Sequence, residues 1–336
     1  MSTSEFASLY SWYSWPNVVL PVIGGYLIDS MFGVRLGTVI FASFICLGQV
    51  VLGLASLHHC FSMMKVARFM FGVGGESLNM ALNTFTVTWF KDKELNMVFG
   101  FQLSLSRLGS TVNFLLMEPL FTKMETLFQD KPDSALGWTL MSAACFTVMS
   151  LMSSLVLGWL DRRRQRHDTM MVILNGHQPS LADIKQFPPT FWLLCLATLS
   201  YYGAIFPFIS LAQTYFQTKY NFDAQTANFL VGLVYLVSAV SSPLLGWLLD
   251  RTHRNMVWMV ASLSVSVVSH ALLCWTQITP YMPVITMGLS YSVLASALWS
   301  LPSIIIKDTQ LATAFGIMQV RMGDITQRKF SIKWIS

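Results

Sequence analysis

Gly24–Arg35 reads GGYLIDSMFGVR, and Gly246–Arg254 reads GWLLDRTHR. In each stretch a glycine and a leucine precede an aspartate: Gly25, Leu27 and Asp29 in the first, Gly246, Leu248 and Asp250 in the second. Arginine follows, at Arg35 in the first and at Arg251 and Arg254 in the second. Both stretches stand where a long apolar run gives way to a short basic loop. One pattern recurring at equivalent junctions of a duplicated hydropathy profile marks an internal repeat, the signature of two related bundles of membrane helices.

The residues around these junctions support that class. Over 336 positions, 54% are hydrophobic and 11% charged, where a soluble domain carries roughly a quarter charged residues. Apolar runs of about 20 residues, the length of helix that crosses roughly 30 Å of hydrocarbon, recur along the chain. Spans are expected near 6–28, 36–57, 62–89, 95–118, 136–160, 190–212, 226–249, 255–276 and 281–305. A shorter apolar run, 311–320, precedes a polar tail. The expected fold is therefore an all-α membrane protein with an N-terminal bundle over 1–160 and a C-terminal bundle over 188–319. A cytosolic linker over 161–187 joins them, and a divergent polar tail covers 320–336. One set of alternate loops holds Arg35, Lys91, Lys93, Arg162, Arg163, Arg164, Arg166, Lys185, Arg251, Arg254 and Lys307, while the other holds only Lys123, Lys131 and Lys219. Basic loops stay in the cytosol, so the first set faces that side.

Other classes are disfavoured by what these residues do not form. The net charge of +5 is spread over short loops rather than gathered on a recognition helix, so no nucleic-acid partner is expected. The five cysteines lie in or at the ends of apolar runs without CxxC or ligand-like spacing, so neither a metal nor another cofactor is expected. GLSYS at Gly288–Ser292 has no histidine after it to activate a serine, and HExxH is absent, so no catalytic residues and no enzyme activity are expected. The amino terminus shows no cleavable signal peptide. No Asn-x-Ser/Thr sequon occurs in the 336 residues, so no N-linked glycan is expected and any shield against lumenal proteases must come from elsewhere.

Two charges interrupt the apolar runs near mid-span: Glu76 in the third and Arg107 in the fourth. An ionised residue at a helix centre costs about 3 kcal/mol on insertion scales, so such residues face a cavity or each other. One carboxylate and one guanidinium at similar depth suit a zwitterion, Glu76 receiving an ammonium and Arg107 a carboxylate. Mutual neutralisation of the two is the structural alternative. Asn83, Gln102, Asn113, Tyr201, Tyr202 and Trp299 are further candidates to line a polar cavity, and His270 is a candidate proton carrier. Pro16, Pro207 and Pro302 are candidate helix breaks.

The paired loops resemble the cytosolic loop motif of the major facilitator superfamily. Against its usual form the first copy has one extra residue between Asp29 and Gly33, and the second has His253 in place of glycine. RFMFGVGGES, with Arg68, Gly72, Gly74 and Gly75, resembles the fourth-helix motif of the same superfamily. From about Phe6 to Gln319, through SLYSWYSWPNVVLPVIGGYLID, the long stretch containing Glu76 and Arg107, YYGAIFPFISL and GLSYSVLASALW, the chain is similar to a vertebrate branch of that superfamily, lysosomal transporters of dipeptides. The resemblance implies a uniporter exporting dipeptides to the cytosol by alternating access, with Glu76 and Arg107 on the peptide's charged ends. It also implies a heavily glycosylated single-span lysosomal accessory membrane protein as partner. Against that family the chain has about nine complete transmembrane helices of an expected twelve, lacking one at the start and two at the end. It also lacks the amino-terminal sorting signal and reads as a spliced or gene-model fragment. A second expectation follows: a non-transporting form, retained in the endoplasmic reticulum or binding the accessory subunit only.

Overall fold

A computed structural model describes residues 3–128, 132–168 and 181–320. Among the described residues the chain is helical, with no strand. The helices are α1 (Thr3–Ser14), α2 (Leu20–Leu27), α3 (Gly33–Leu57), α4 (Phe61–Phe90), α5 (Leu95–Leu127), α6 (Pro132–Asp168), α7 (Pro189–Tyr220), α8 (Ala224–Thr252), α9 (Asn255–Trp275), α10 (Tyr281–Ser300), α11 (Pro302–Ile305) and α12 (311–320). Six described stretches are long and apolar enough to cross a membrane: Leu20–Leu57, Ser134–Arg164, Pro189–Tyr220, Ala224–Thr252, Asn255–Trp275 and Tyr281–Ile305. The helices that carry Glu76 and Arg107 have the length, 30 and 33 residues, but are more polar.

Three elements depart from the expected spans. The first span is not one helix: α1 yields to a 3-10 turn over Trp15–Val18 and the chain re-enters as α2. Pro16 and Pro21 are the second residues of these two segments, in the first turn, where a missing N–H is tolerated. Pro207, by contrast, lies inside an unbroken α7, and Pro302 opens α11 just after α10. The sixth helix runs on past 160 into the basic segment as far as Asp168. Asp161, only 4% exposed, is held there by Arg35 of α3 at 3.0 Å, and Arg163 lies over the Trp159 ring at 3.9 Å. Residues 169–180 of the expected linker and 321–336 of the expected tail lie outside the described residues.

The helices gather into two compact units. The first unit holds residues 1–85, 113–187 and 307–336. Small residues set its packing. Gly53 of α3 faces Met141 of α6, Gly137 of α6 faces Leu57, and Gln49 reaches across to the Leu140 carbonyl at 2.9 Å. Gly48 and Gly74 bring the backbones of α3 and α4 together, and Leu9, Leu52, Ala55, Met64 and Ala67 form a buried cluster beside them.

The second unit holds residues 86–112 and 188–306. Here hydroxyls tie helices together where no water is available. Ser292 of α10 donates to the Ser238 carbonyl of α8 at 3.2 Å and lies 2.9 Å from the Ser241 hydroxyl, while Ser104 of α5 donates to the Ala239 carbonyl.

Each unit contains the same device, built from one copy of the repeated loop. Asp29 accepts the backbone N–H groups of Ala312 and Thr313, at 3.2 and 2.7 Å, and the Thr313 hydroxyl at 2.6 Å. Asp250 accepts the backbone N–H groups of Asn96 and Met97, at 3.0 and 2.8 Å, and the Asn96 amide at 2.6 Å. The first turn of a helix leaves N–H groups unpaired and carries positive dipole charge, so a carboxylate there is favourable. Four residues before each aspartate, a glycine lets the capped helix approach: a Cβ on Gly25 would strike the Ala312 carbonyl, and one on Gly246 the Asn96 carbonyl. A return glycine completes each contact, Gly316 against the Pro21 carbonyl and Gly100 against the Ser242 carbonyl.

The extra residue of the first loop is absorbed as a π-helical turn over Ile28–Phe32, the usual shape of a one-residue insertion in a helix. The chain then turns at Gly33, φ 67°, and the second copy turns at the corresponding point with His253 at φ 52°. His253 thus takes the left-handed conformation that glycine adopts most easily.

Gly246→Ala is expected to destabilise the protein by about 1–3 kcal/mol through overpacking against Asn96. Gly232→Ala, on the same helix with nothing within 4 Å of the added carbon, is expected to be neutral or to stabilise by up to about 1 kcal/mol. Thermal unfolding of the two variants in detergent checks the opposite signs.

Candidate functional site

In the second unit, α5 carries Arg107 into a group of tyrosines. Its guanidinium lies over the Tyr235 ring at 4.8 Å and over the Tyr291 ring at 4.5 Å, held between α8 and α10. Tyr201 of α7 stacks on Tyr291 at 6.1 Å with 19° between ring planes, and Tyr202 meets Tyr291 edge to face at 6.3 Å. Trp299 hydrogen-bonds the Tyr202 hydroxyl, and Phe206 stacks under Tyr202 at 5.4 Å. Tyr201, Tyr202 and Tyr291 are buried, at 6%, 3% and 6% exposed.

Ring faces are attractive to a cation and orient the planar guanidinium, at about 0.5–2 kcal/mol per face. They accept none of its N–H bonds. Nε and Nη1 of Arg107 are buried without a hydrogen-bond partner among the described residues. A buried donor left unpaired costs about 1–3 kcal/mol, more when charged. The cluster is therefore a cation held against two ring faces with donors to spare, which suits a carboxylate.

In the first unit, Glu76 lies on α4 within the glycine-rich stretch. Gln319 of α12, only 2% exposed, donates its Nε2 to Glu76 Oε2, and its own Oε1 is buried without a partner among the described residues. Carboxylate and amide oxygen together offer acceptors, the requirement for an ammonium. Tyr13 lies within electrostatic reach of Glu76 and of Arg68. Arg68 lines a cavity of about 250 Å³ with Leu9, Tyr10, Tyr13 and Phe71, so it faces a hollow between α1 and α4.

The structure thus brings Arg107, Tyr201, Tyr202 and Trp299 together in one unit and places Glu76 in the other. Asn83 is buried, at 3% exposed, on α4. Gln102 accepts from the Thr86 hydroxyl at 3.5 Å. The Asn113 side chain lies outside the described residues. His270 is bound through Nδ1 to the Ser266 carbonyl at 2.7 Å and packs on Phe208. Among the described residues no group of histidine, cysteine and acidic side chains has the makings of a metal site. Sequence reasoning missed Tyr235, Tyr291 and Gln319. The spacing of Tyr235 from Ser238 and Ser242 along α8 was the one available signal, since it puts Tyr235 on the face that carries those buried polar residues.

Residues 1–324 match the family profile described as Major Facilitator Superfamily. The chain is 44% identical over 319 residues to the lysosomal dipeptide transporter MFSD1 of Homo sapiens, covering 95% of this chain and 69% of that protein. The same-named protein of Danio rerio gives the same identity and coverage. Among solved structures, the crystal structure of the major facilitator transporter FucP in its outward conformation aligns with a TM-score of 0.75, covering 98% of this chain and 83% of that one. At 13% identity that likeness speaks for the fold alone.

Tyr291→Leu is expected to lower stability by about 1–2 kcal/mol, by removing one ring face from a buried guanidinium. Tyr291→Phe, which keeps the face, should stay within about 0.5 kcal/mol of the parent. The pair is distinguished by thermal unfolding in detergent.

Proposed function

Because this chain belongs to the major facilitator superfamily of membrane transporters, we propose that it carries dipeptides across the lysosomal membrane to the cytosol, as a uniporter working by alternating access. Arg107 receives the peptide carboxylate and Glu76 the amino terminus. The observation that carries the reading is the Arg107 guanidinium, held between two tyrosine rings with Nε and Nη1 buried and unpaired among the described residues. Tyr201 and Tyr202, with Trp299 behind them, form the wall on which a peptide side chain would rest. Glu76, with the Gln319 amide oxygen beside it, supplies the complementary acceptors. Asn83, Gln102 and Asn113 are further polar residues proposed to meet the substrate.

The names of the relatives support dipeptides as substrate and the lysosome as location. Both termini of a dipeptide are charged, and an amino acid carries the same two charges closer together. Spacing, rather than charge alone, is then the basis of selection. The duplicated loop and its twin caps support alternating access, since paired repeats are the architecture that supports that motion. A glycosylated single-span lysosomal membrane protein is proposed as partner. The absence of a sequon among the 336 residues is in keeping with a glycan shield contributed by such a partner.

Reconstituted in liposomes, the chain should take up a labelled dipeptide, and Arg107→Ala and Glu76→Gln should each lower uptake by about tenfold or more. Arg107→Lys should not restore it, because an ammonium lacks the planar fork that stacks between rings. An amino-acetylated dipeptide should enter poorly in the parent and no worse in Glu76→Gln. Uptake should be unchanged by an imposed pH gradient. Dipeptide uptake indifferent to both Arg107→Ala and Glu76→Gln would sink the assignment of these two residues, and acceleration by a pH gradient would sink uniport.

A further inference from the structure

At the end of the second unit where α8 turns into α9, a groove of about 490 Å³ opens, walled by residues of α5, the α8–α9 turn, α9 and α11, with Leu301 just after α10. One side is polar: Arg254 lines it with its fixed positive charge and His253 stands beside it, both exposed. Neither side chain has a hydrogen bond or ion pair among the described residues. The other side is apolar and open: Met256, Val257 and Ile304 line it and are 45%, 61% and 70% exposed. Between the two sides stand Asn96 and Asn255, already hydrogen-bonded to each other at 3.2 Å.

The level of the groove is marked by tryptophan. Trp258 donates its indole N–H to the Thr252 hydroxyl at 2.7 Å, and Trp247 lies under the Arg251 guanidinium at 5.3 Å. Tryptophans with one polar tip satisfied, set beside arginine at helix ends, are the pattern of a membrane–water interface. By the distribution of basic loops this interface is the cytosolic one.

We propose that this groove is a binding site for an anionic phospholipid of the cytosolic leaflet, with the headgroup on Arg254 and His253 and an acyl chain laid along Val257, Met256 and Ile304. Charge complementarity selects the headgroup. A zwitterionic lipid brings a second cation to a site that already holds Arg254, whereas phosphatidylserine or a phosphoinositide brings net negative charge. The apolar side selects a lipid over a free phosphate, because bare phosphate leaves Val257 and Ile304 uncovered. Basic pockets between helices at this face are a recognised means of holding acidic headgroups, each cation contributing about a fivefold preference.

The test is native mass spectrometry of the purified full chain, loaded from mixed micelles of phosphatidylserine and phosphatidylcholine. The parent should retain phosphatidylserine in preference. The double variant His253→Asn, Arg254→Gln should lose that preference by about fivefold or more, and Ile304→Glu should lower retention of both lipids. Raising salt should erase the preference in the parent itself, a reading that does not depend on the variants folding. Equal retention of the two lipids by the parent, a preference that survives the double variant, or displacement of the lipid by inorganic phosphate at the same concentration would each overturn the proposal.

Discussion

A carboxylate that satisfies the open N–H groups of a helix is the interaction on which the rest of this structure depends. In water such groups find partners in solvent. Near hydrocarbon they do not, and an unpaired N–H costs several kcal/mol. Asp29 and Asp250 each solve the problem for a helix from a distant part of the chain, α12 and α5 respectively. The glycine four residues earlier, and the return glycine on the capped helix, are consequences: the carboxylate reaches its N–H groups only if the two backbones nearly touch. Arg107 is placed by the same constraint. It lies on α5 beyond Asn96 and Gly100, so the cap that fixes the start of α5 also fixes the register that brings the guanidinium between Tyr235 and Tyr291. Gln319 is placed in the same way on α12, beyond Thr313 and Gly316, where it meets Glu76.

Much of this is legible in the sequence. Composition and the spacing of apolar runs decide the class, because only a membrane solvent explains so few charges over such a length. The repeated loop predicts paired architecture, since Asp29 and Asp250 fall at equivalent junctions. Glu76 and Arg107 stand out because the energetic penalty of a charge at mid-span makes each one informative alone. What was not legible is tertiary. Tyr235 and Tyr291 sit in apolar runs where a tyrosine is ordinary packing, and only their convergence on one guanidinium gives them a role. Gln319 lies at the end of a run too short to cross, and its meaning comes from a partner at Glu76, far away in sequence. The compact units follow the caps, which join α5 to α8 and α12 to the first loop.

Local chemistry explains the remaining differences. The first span breaks because Pro16 and Pro21 withhold N–H groups within one stretch, a signal visible in the letters but outweighed by the apolar run around it. The sixth helix outlasts its apolar run because Arg35 holds Asp161 and Trp159 offers a face to Arg163, so a basic segment that reads as loop stays helical.

The π-helical turn after α2 has a consequence for how such a loop tolerates change in length. The additional residue lies in the turn Ile28–Phe32, which starts one residue before Asp29 and runs on towards Gly33. The wide turn takes up the surplus as a local bulge, while the carboxylate keeps its bonds to Ala312 and Thr313. Loop length and helix contact are thereby decoupled: the chain between Asp29 and Gly33 acts as slack, and the two copies of the loop have diverged in size without moving the point at which each grips its helix.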